Sequence, residues 1–176
     1  ITDPAIKAML GRKFKKPYGE FAPPMKLTVV ELERVTYLDF SFSKTPTTDE
    51  SFKDLAKLQN LEELNLRNTD ITDAGLKDVA KLQKLTKLNL EYNLNITDEG
   101  LKDVAKLQKL GYLNLEFTRT TDEGLQDVAK LQNLEELNLK STGITDAGLK
   151  GVAKLQKLTK LNLEYTKITD EGLKDV

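Results

Sequence analysis

Two columns of residues carry most of the chemistry this chain can do. Phe42, Tyr92, Phe117 and Tyr165, with Tyr37 and Tyr112 close by, make up six of its eleven phenylalanines and tyrosines. They return at a fixed phase of a pattern about 24 residues long. Exposed Tyr and Phe are typical anchors of protein interfaces. Rings laid over a sheet edge to shield a core would show the same spacing, so both readings stay open. Asn89 and Asn114 belong to a second column, Asp39, Asn65, Asn89, Asn114, Asn138 and Asn162. Such amides suit a peptide backbone or a sugar, and a solvated amide ladder is the alternative. Asp49, Asp73, Asp98, Asp122, Asp146 and Asp170 also return once per unit. Stacked carboxylates attract Ca²⁺. Helix capping explains them without a metal, so no metal and no cofactor are expected.

Composition excludes several classes. The chain has 176 residues, no Cys and no His. Disulfides, thiolate metal sites and thiol nucleophiles are therefore absent, and so is the commonest general base. Lys and Arg number 27 against 28 Asp and Glu, a net charge of −1. A dedicated nucleic-acid binder would be basic. No run approaches the roughly 18 apolar residues of a membrane span. Acid–base catalysis needs two carboxyl groups sequestered in a cleft. The strand acids here instead alternate with bases: Glu63 with Lys87, Glu136 with Lys160, Arg67 with Glu91, Lys140 with Glu116 and Glu164. The chain reads as a non-enzyme.

The elements that must position these residues follow from repetition. Units run 54–77, 78–102, 103–126, 127–150 and 151–174, with a degenerate copy at 28–53. The first and fourth are near-identical, as are the second and fifth, which points to duplication of a three-unit block or construction from a consensus. The first half of each unit, such as LEELNL at 61–66, alternates apolar and polar residues and reads as a short strand. Six parallel strands are expected, centred on Leu38, Leu64, Leu88, Leu113, Leu137 and Leu161. The second half, such as TDAGLKDVAKL at 72–82, places apolar residues on one face of a short helix. Thr72 or Asp73 would cap it. A helix this short is not stable alone and must pack on its strand and its neighbours. The recurrent Gly75, Gly100, Gly124, Gly148 and Gly172 fit close packing between units.

The pattern LxxLxLxxTxITDxGLxxVAKL resembles the leucine-rich repeat, and within it the bacterial ITDxGL type and the ribonuclease-inhibitor-like and cysteine-containing subclasses. The resemblance covers residues 28–176. It implies an α/β fold: a right-handed solenoid, or horseshoe, with a parallel β-sheet on the concave face and helices on the convex face. It implies a binding role and no catalytic activity. The family's Asn position reads Ser43, Thr69, Asn93, Thr118, Thr142 and Thr166 here, so hydrogen bonding between turns should be thinner. Thr120 replaces the isoleucine of its siblings and reads as a local weakness or a solvated corner.

Residues 1–27 read as an N-terminal helical cap, with a helix to about Lys15 and a Pro/Gly loop through Pro24. Its basic run, Arg12, Lys13, Lys15 and Lys16, fits a solvated face better than a phosphate or membrane patch. The repeat array fills 28–176, with no C-terminal cap expected. The function expected is a non-enzymatic module that binds a protein or peptide on the concave face. The contact set is Tyr37, Phe42, Tyr92, Tyr112, Phe117, Tyr165, Asn89 and Asn114. No nucleic acid and no membrane insertion are expected. The alternative is a structural element that forms homo-oligomers through its uncapped C-terminal repeat or sheet edge.

Overall fold

The computed structural model describes residues 1–13, 28–41 and 49–175. Six short strands form one open parallel sheet in chain order: β1 (Tyr37–Asp39), β2 (Glu63–Asn65), β3 (Lys87–Asn89), β4 (Tyr112–Asn114), β5 (Glu136–Asn138) and β6 (Lys160–Asn162). The register never slips, so Leu38, Leu64, Leu88, Leu113, Leu137 and Leu161 sit side by side. These are the six strand centres expected from the repeat. Helices α1 (Pro4–Lys13) and α2 (Val29–Glu33) precede β1. Then α3 (Asp49–Leu55), α4 (Asp73–Val79), α5 (Asp98–Val104), α6 (Asp122–Val128) and α7 (Asp146–Val152) alternate with the strands, and a 3₁₀ turn over Gly172–Asp175 follows β6.

The strand leucines of β1 to β5 and the helix residues Leu76, Val79, Leu101, Val104, Leu125, Val128, Leu149 and Val152 are buried in one continuous core between sheet and helices, with Leu161 partly buried at its end. Each helix from α3 to α7 has only seven residues, shorter than the 72–82 span expected. Ala80 closes α4, and the next residues turn back toward the sheet through Leu82 N–H to Val79 O and Leu85 N–H to Leu82 O, both 3.0 Å. A unit of this length has to return to the next strand within a few residues. The short helix α2 was not anticipated. A capping box between Thr28 and Glu31 nucleates it, the Thr28 hydroxyl accepting the Glu31 N–H at 3.2 Å. The Pro/Gly loop and the residues Lys15, Lys16, Phe42 and Ser43 lie outside the described residues.

Unit-to-unit spacing is set by a hydrogen-bonded hand-off. Thr72, Thr97, Thr121 and Thr145 cap their own helices. The aspartate that follows each Thr reaches forward to the next unit, a correction to the helix-capping role expected for it. Asp73 Oδ1 accepts the Thr97 N–H at 2.9 Å and Oδ2 accepts its hydroxyl at 2.6 Å. Asp98 does the same to Thr121 at 2.8 and 2.6 Å, and Asp122 to Thr145 at 2.8 and 2.6 Å. Asp49 and Asp146 repeat it on Thr72 and Thr169. The repeat glycine makes room for this carboxylate. A Cβ on Gly100 or Gly124 would stand 2.3 Å from the aspartate Oδ1 of the preceding unit.

The N-terminal segment enters the same system. Asp3 accepts the Ser51 hydroxyl at 2.7 Å, with Ser51 at the glycine position of its unit. The buried Asp54 accepts the Thr2 hydroxyl at 2.8 Å and the Asp3 N–H at 2.7 Å, besides Thr2 N–H and Lys57. Burial alone would raise the Asp54 carboxyl, but the Lys57, Asp3 and Thr2 donors outweigh it and hold it far below the usual carboxylate range.

Thr120 is wholly buried, not a solvated corner, and its hydroxyl meets that of Thr118 at 2.8 Å. The thinner bonding expected at the family's Asn position is present. Thr69, Thr118 and Thr142 each bond one carbonyl of their own unit, at 2.7, 2.7 and 2.5 Å. Asn93 bridges two units, to Leu66 O at 2.8 Å and Leu90 O at 2.9 Å, while accepting the Thr69 N–H at 3.0 Å.

Two outcomes follow. Gly124→Ala should destabilise the protein by about 1–3 kcal/mol in urea unfolding, because the methyl displaces the Asp98 carboxylate. Asp54→Asn should lower stability at neutral pH. The folded carboxyl ionises below its unfolded value, so its contribution is complete above about pH 4 and is lost as acid protonates the unfolded state first. The stability gap between wild type and Asp54→Asn should therefore close from about pH 4 downward, measured by thermal melts across pH.

Candidate functional site

On the sheet, the residues flanking each strand leucine face away from the core. The column before the leucine carries Tyr37, Glu63, Lys87, Tyr112, Glu136 and Lys160 in register. Lys87 pairs with Glu63 at 2.9 Å and Lys160 with Glu136 at 2.7 Å. All of this column but Lys160 lines a groove of about 720 Å³ across strands β1 to β5. Tyr37 and Tyr112 stand three strand spacings apart along it, about 14 Å. Tyr37 is exposed and donates its hydroxyl to Asp39 at 3.0 Å. Burial, then the neighbouring Asp39, raise its phenol. Tyr112 is half-buried, and burial pushes its phenol up as well.

Gly111 and Lys109 also line the groove. Sequence reasoning passed over both, although Gly111 breaks a column that otherwise reads Thr36, Glu62, Thr86, Glu135 and Thr159. At the same position of other units Lys84 bonds Asn60 and Lys157 bonds Asn133, at 2.6 and 2.7 Å. Lys109 has no such bond among the described residues.

The asparagine column is part of the backbone. The Oδ1 atoms of Asn65, Asn89, Asn114, Asn138 and Asn162 accept the N–H two residues on, at 2.9 to 3.1 Å. Asp39 does the same for Ser41 at 2.8 Å. Each such turn ends its strand. Asn114 is buried, and its Nδ2 donates to Glu91 at 3.3 Å. Asn89 reaches the groove with its amide oxygen already committed.

The residue after each turn takes the left-handed conformation: Asn68, Tyr92, Phe117, Ser141 and Tyr165 have φ between 52° and 60°. Its N–H then points to the next unit, as from Tyr92 to Glu116 O and from Ser141 to Glu164 O, both 2.9 Å. Asn tolerates this conformation, whereas for Tyr or Phe it costs about 1–2 kcal/mol. The rings it presents form a rim along the strand ends. Tyr92 and Phe117 stack at 4.6 Å between centroids and 11° between planes. The Arg67 guanidinium lies 5.3 Å from the Tyr92 centroid, and the Lys140 ammonium 5.4 Å from that of Tyr165.

Beneath the rim, Arg67 pairs with Glu91 at 3.3 Å, and Lys140 with Glu164 at 2.8 Å and more loosely with Glu116 at 4.0 Å. Glu91 and Glu116 are like-charged neighbours in this ladder. Burial raises the Glu91 carboxyl, Arg67 opposes that, and Glu116 adds to it. The eight expected contact residues thus divide. Tyr37, Asn89 and Tyr112 line the groove, Tyr92, Phe117 and Tyr165 form the rim, Asn114 is buried in a turn, and Phe42 lies outside the described residues.

An open parallel sheet backed by one short helix per unit, its free face lined by paired charges and rings, is the architecture of a solenoid interaction module. The chain belongs to the leucine-rich repeat family, whose Leucine Rich repeat model matches residues 57–80, 81–105, 130–153 and 154–176. Among solved structures it is similar to internalin C2 of Listeria monocytogenes, at 27% identity and a TM-score of 0.70, covering 96% of this chain and 76% of that one. It shares its fold with an internalin (inlF) of the same bacterium, at 18% identity and a TM-score of 0.54, covering 98% of this chain and 72% of that one. No curated protein sequence matches it. No helix among the described residues is long and apolar enough to cross a membrane.

If the rim rings were core, removing them would be costly. Tyr92→Asn and Phe117→Asn together should instead change stability by less than about 1 kcal/mol. Lost stacking, about 0.5–1.5 kcal/mol, is offset by relief of the left-handed backbone that Asn68 already adopts. Urea unfolding of the double variant checks this.

Proposed function

We propose that the chain binds a protein or peptide on its concave face, with Tyr92, Phe117 and Tyr165 as principal anchors. The observation that carries this is the strain of the rim. The same backbone and the same bond to the next unit are made by Asn68 and Ser141, so the fold has no need of rings there. Tyr92 and Tyr165 are nevertheless 42% and 74% exposed. Backbone strain that the fold does not require belongs to function.

The other groups on this face contribute less. Exposed ion pairs are worth about 0.2–1 kcal/mol each, and the asparagine oxygens are taken. The rings offer apolar area whose removal from water drives association, at about 25 cal/mol per Å². The family's character as an interaction scaffold supports this reading, and no catalytic role is assigned to any residue.

Self-association through the outer side of β6 is a second reading. Leu161 and Leu163 there are only partly buried, where their counterparts in β1 to β5 are fully so. A monomer by light scattering at high concentration would end that reading.

The main reading is tested by affinity capture from native lysate with wild type and with the Tyr92→Asn, Phe117→Asn double variant. Proteins held by the wild type should be lost by a variant of unchanged melting temperature. Equal retention would contradict the assignment.

A further inference from the structure

The unit that contributes β4 departs from its siblings at two adjoining positions, and both open onto the groove. Gly111 stands in the column of Thr86 and Glu135, which also line the groove. Packing does not require a glycine there. A Cβ on Gly111 would have Asn133 O and Thr86 O as its nearest neighbours, both at 3.8 Å, an ordinary contact, and its backbone is not left-handed. The missing side chain therefore leaves space in the groove instead of relieving a clash. Tyr112 stands between Lys87 and Glu136 in a column of paired charges and puts a half-buried ring beside that space.

The charged residues that line the groove are Glu63, Lys87, Lys109, Glu135 and Glu136. Glu63 and Lys87 hold each other at 2.9 Å, and Glu136 is held by Lys160 at 2.7 Å. Among the described residues, Lys109 and Glu135 make no side-chain hydrogen bond or ion pair, with each other or with a third group. For Lys109 the cause is the order of the repeats. Its column reads Asn60, Lys84, Lys109, Asn133 and Lys157. Lys84 and Lys157 donate to the asparagine one unit back, whereas one unit back from Lys109 stands Lys84, whose ammonium accepts nothing. The two unmatched charges flank the space over Gly111. Glu135 donates its N–H to Gly111 O at 2.8 Å, and Lys109 is two residues from Gly111 along the chain.

We propose that the groove at Gly111 is a binding site for a short peptide with free ends, its carboxylate on Lys109, its ammonium on Glu135 and its apolar body over Gly111 beside Tyr112. The site shares no residue with the Tyr92, Phe117 and Tyr165 rim and does not depend on it. Charge selects the class of ligand. A zwitterion matches the one cation and the one anion left over, whereas a ligand of a single sign leaves one of them unpaired. A volume of about 720 Å³ is that of a small-ligand site, with room for a few residues.

The experiment is an NMR titration of the intact, isotope-labelled chain with the tripeptide alanyl-phenylalanyl-alanine, and with the same tripeptide acetylated, amidated or blocked at both ends. The free tripeptide should bind saturably and shift the Gly111 amide and the Tyr112 ring protons. Each single block should weaken binding by about two- to fivefold, the range of an exposed ion pair. Lys109→Asn and Gly111→Thr introduce residues that other units carry at these positions, so both should keep the wild-type melting temperature. Lys109→Asn should weaken the free tripeptide by about the same factor and leave the amidated one unchanged. Gly111→Thr should weaken the free tripeptide by about tenfold or more, because the new side chain takes the ligand's space. No saturable shift at Gly111, equal binding of the free and doubly blocked tripeptides, or a Lys109→Asn penalty that persists with the amidated tripeptide would overturn the site. Shifts confined to Tyr92, Phe117 and Tyr165 would also overturn it, and would leave the reading of the rim intact.

Discussion

The structure depends on a carboxylate handed from each unit to the next. An aspartate at the start of one helix receives both the N–H and the hydroxyl of the threonine that caps the following helix. Bonds to a charged acceptor are about twice as strong as neutral ones, and this one is made twice per junction. It leaves no room for a side chain at the glycine three residues after that threonine, which is why the motif reads TD, any residue, then G. The leucine core supplies most of the burial between units, but apolar contact is non-directional. The hand-off fixes the phase at which one unit stacks on the next.

Constant phase has consequences on the opposite side of the sheet. Because no strand slips, every turn residue lies beside its counterparts. The asparagines all close their turns, and the residues after them all enter the left-handed region. Side chains there are displayed as a ladder at one strand spacing, near the stacking distance of aromatic rings. Tyr92 and Phe117 stack for this reason. The face is thus a row of addressable positions on a rigid backbone, and substitution along the row changes what is displayed without changing what displays it.

The strands were legible because alternating leucines give a period of two and the units repeat it with little variation. All six centres fell where the pattern put them. The aspartates were legible as recurrent but misplaced in role. Their spacing from the threonine suits a cap, and only the stacking distance shows that they reach the next unit instead. Thr120 was misread because a hydroxyl in an apolar column signals exposure unless a partner is known, and Thr118 supplies one two residues away. The rim residues were identified as a column, but their left-handed backbone was not, since Tyr and Phe carry no signature for it. Gly111 was visible as a break in its column, yet only the folded sheet shows that it opens onto a groove.

The central claim is that the aspartate–threonine hand-off couples adjacent units. A double-mutant cycle on Asp98→Ala and Thr121→Ala, with each stability taken from urea unfolding, measures it directly. The two side chains are bonded at 2.6 Å, and Asp98 also holds the Thr121 N–H at 2.8 Å. The account predicts that the two substitutions together cost less than the sum of their separate costs, with a coupling energy of about 1 kcal/mol or more. Additive effects would mean that the carboxylate and hydroxyl do not hold the units together, and the account of the fold would be wrong.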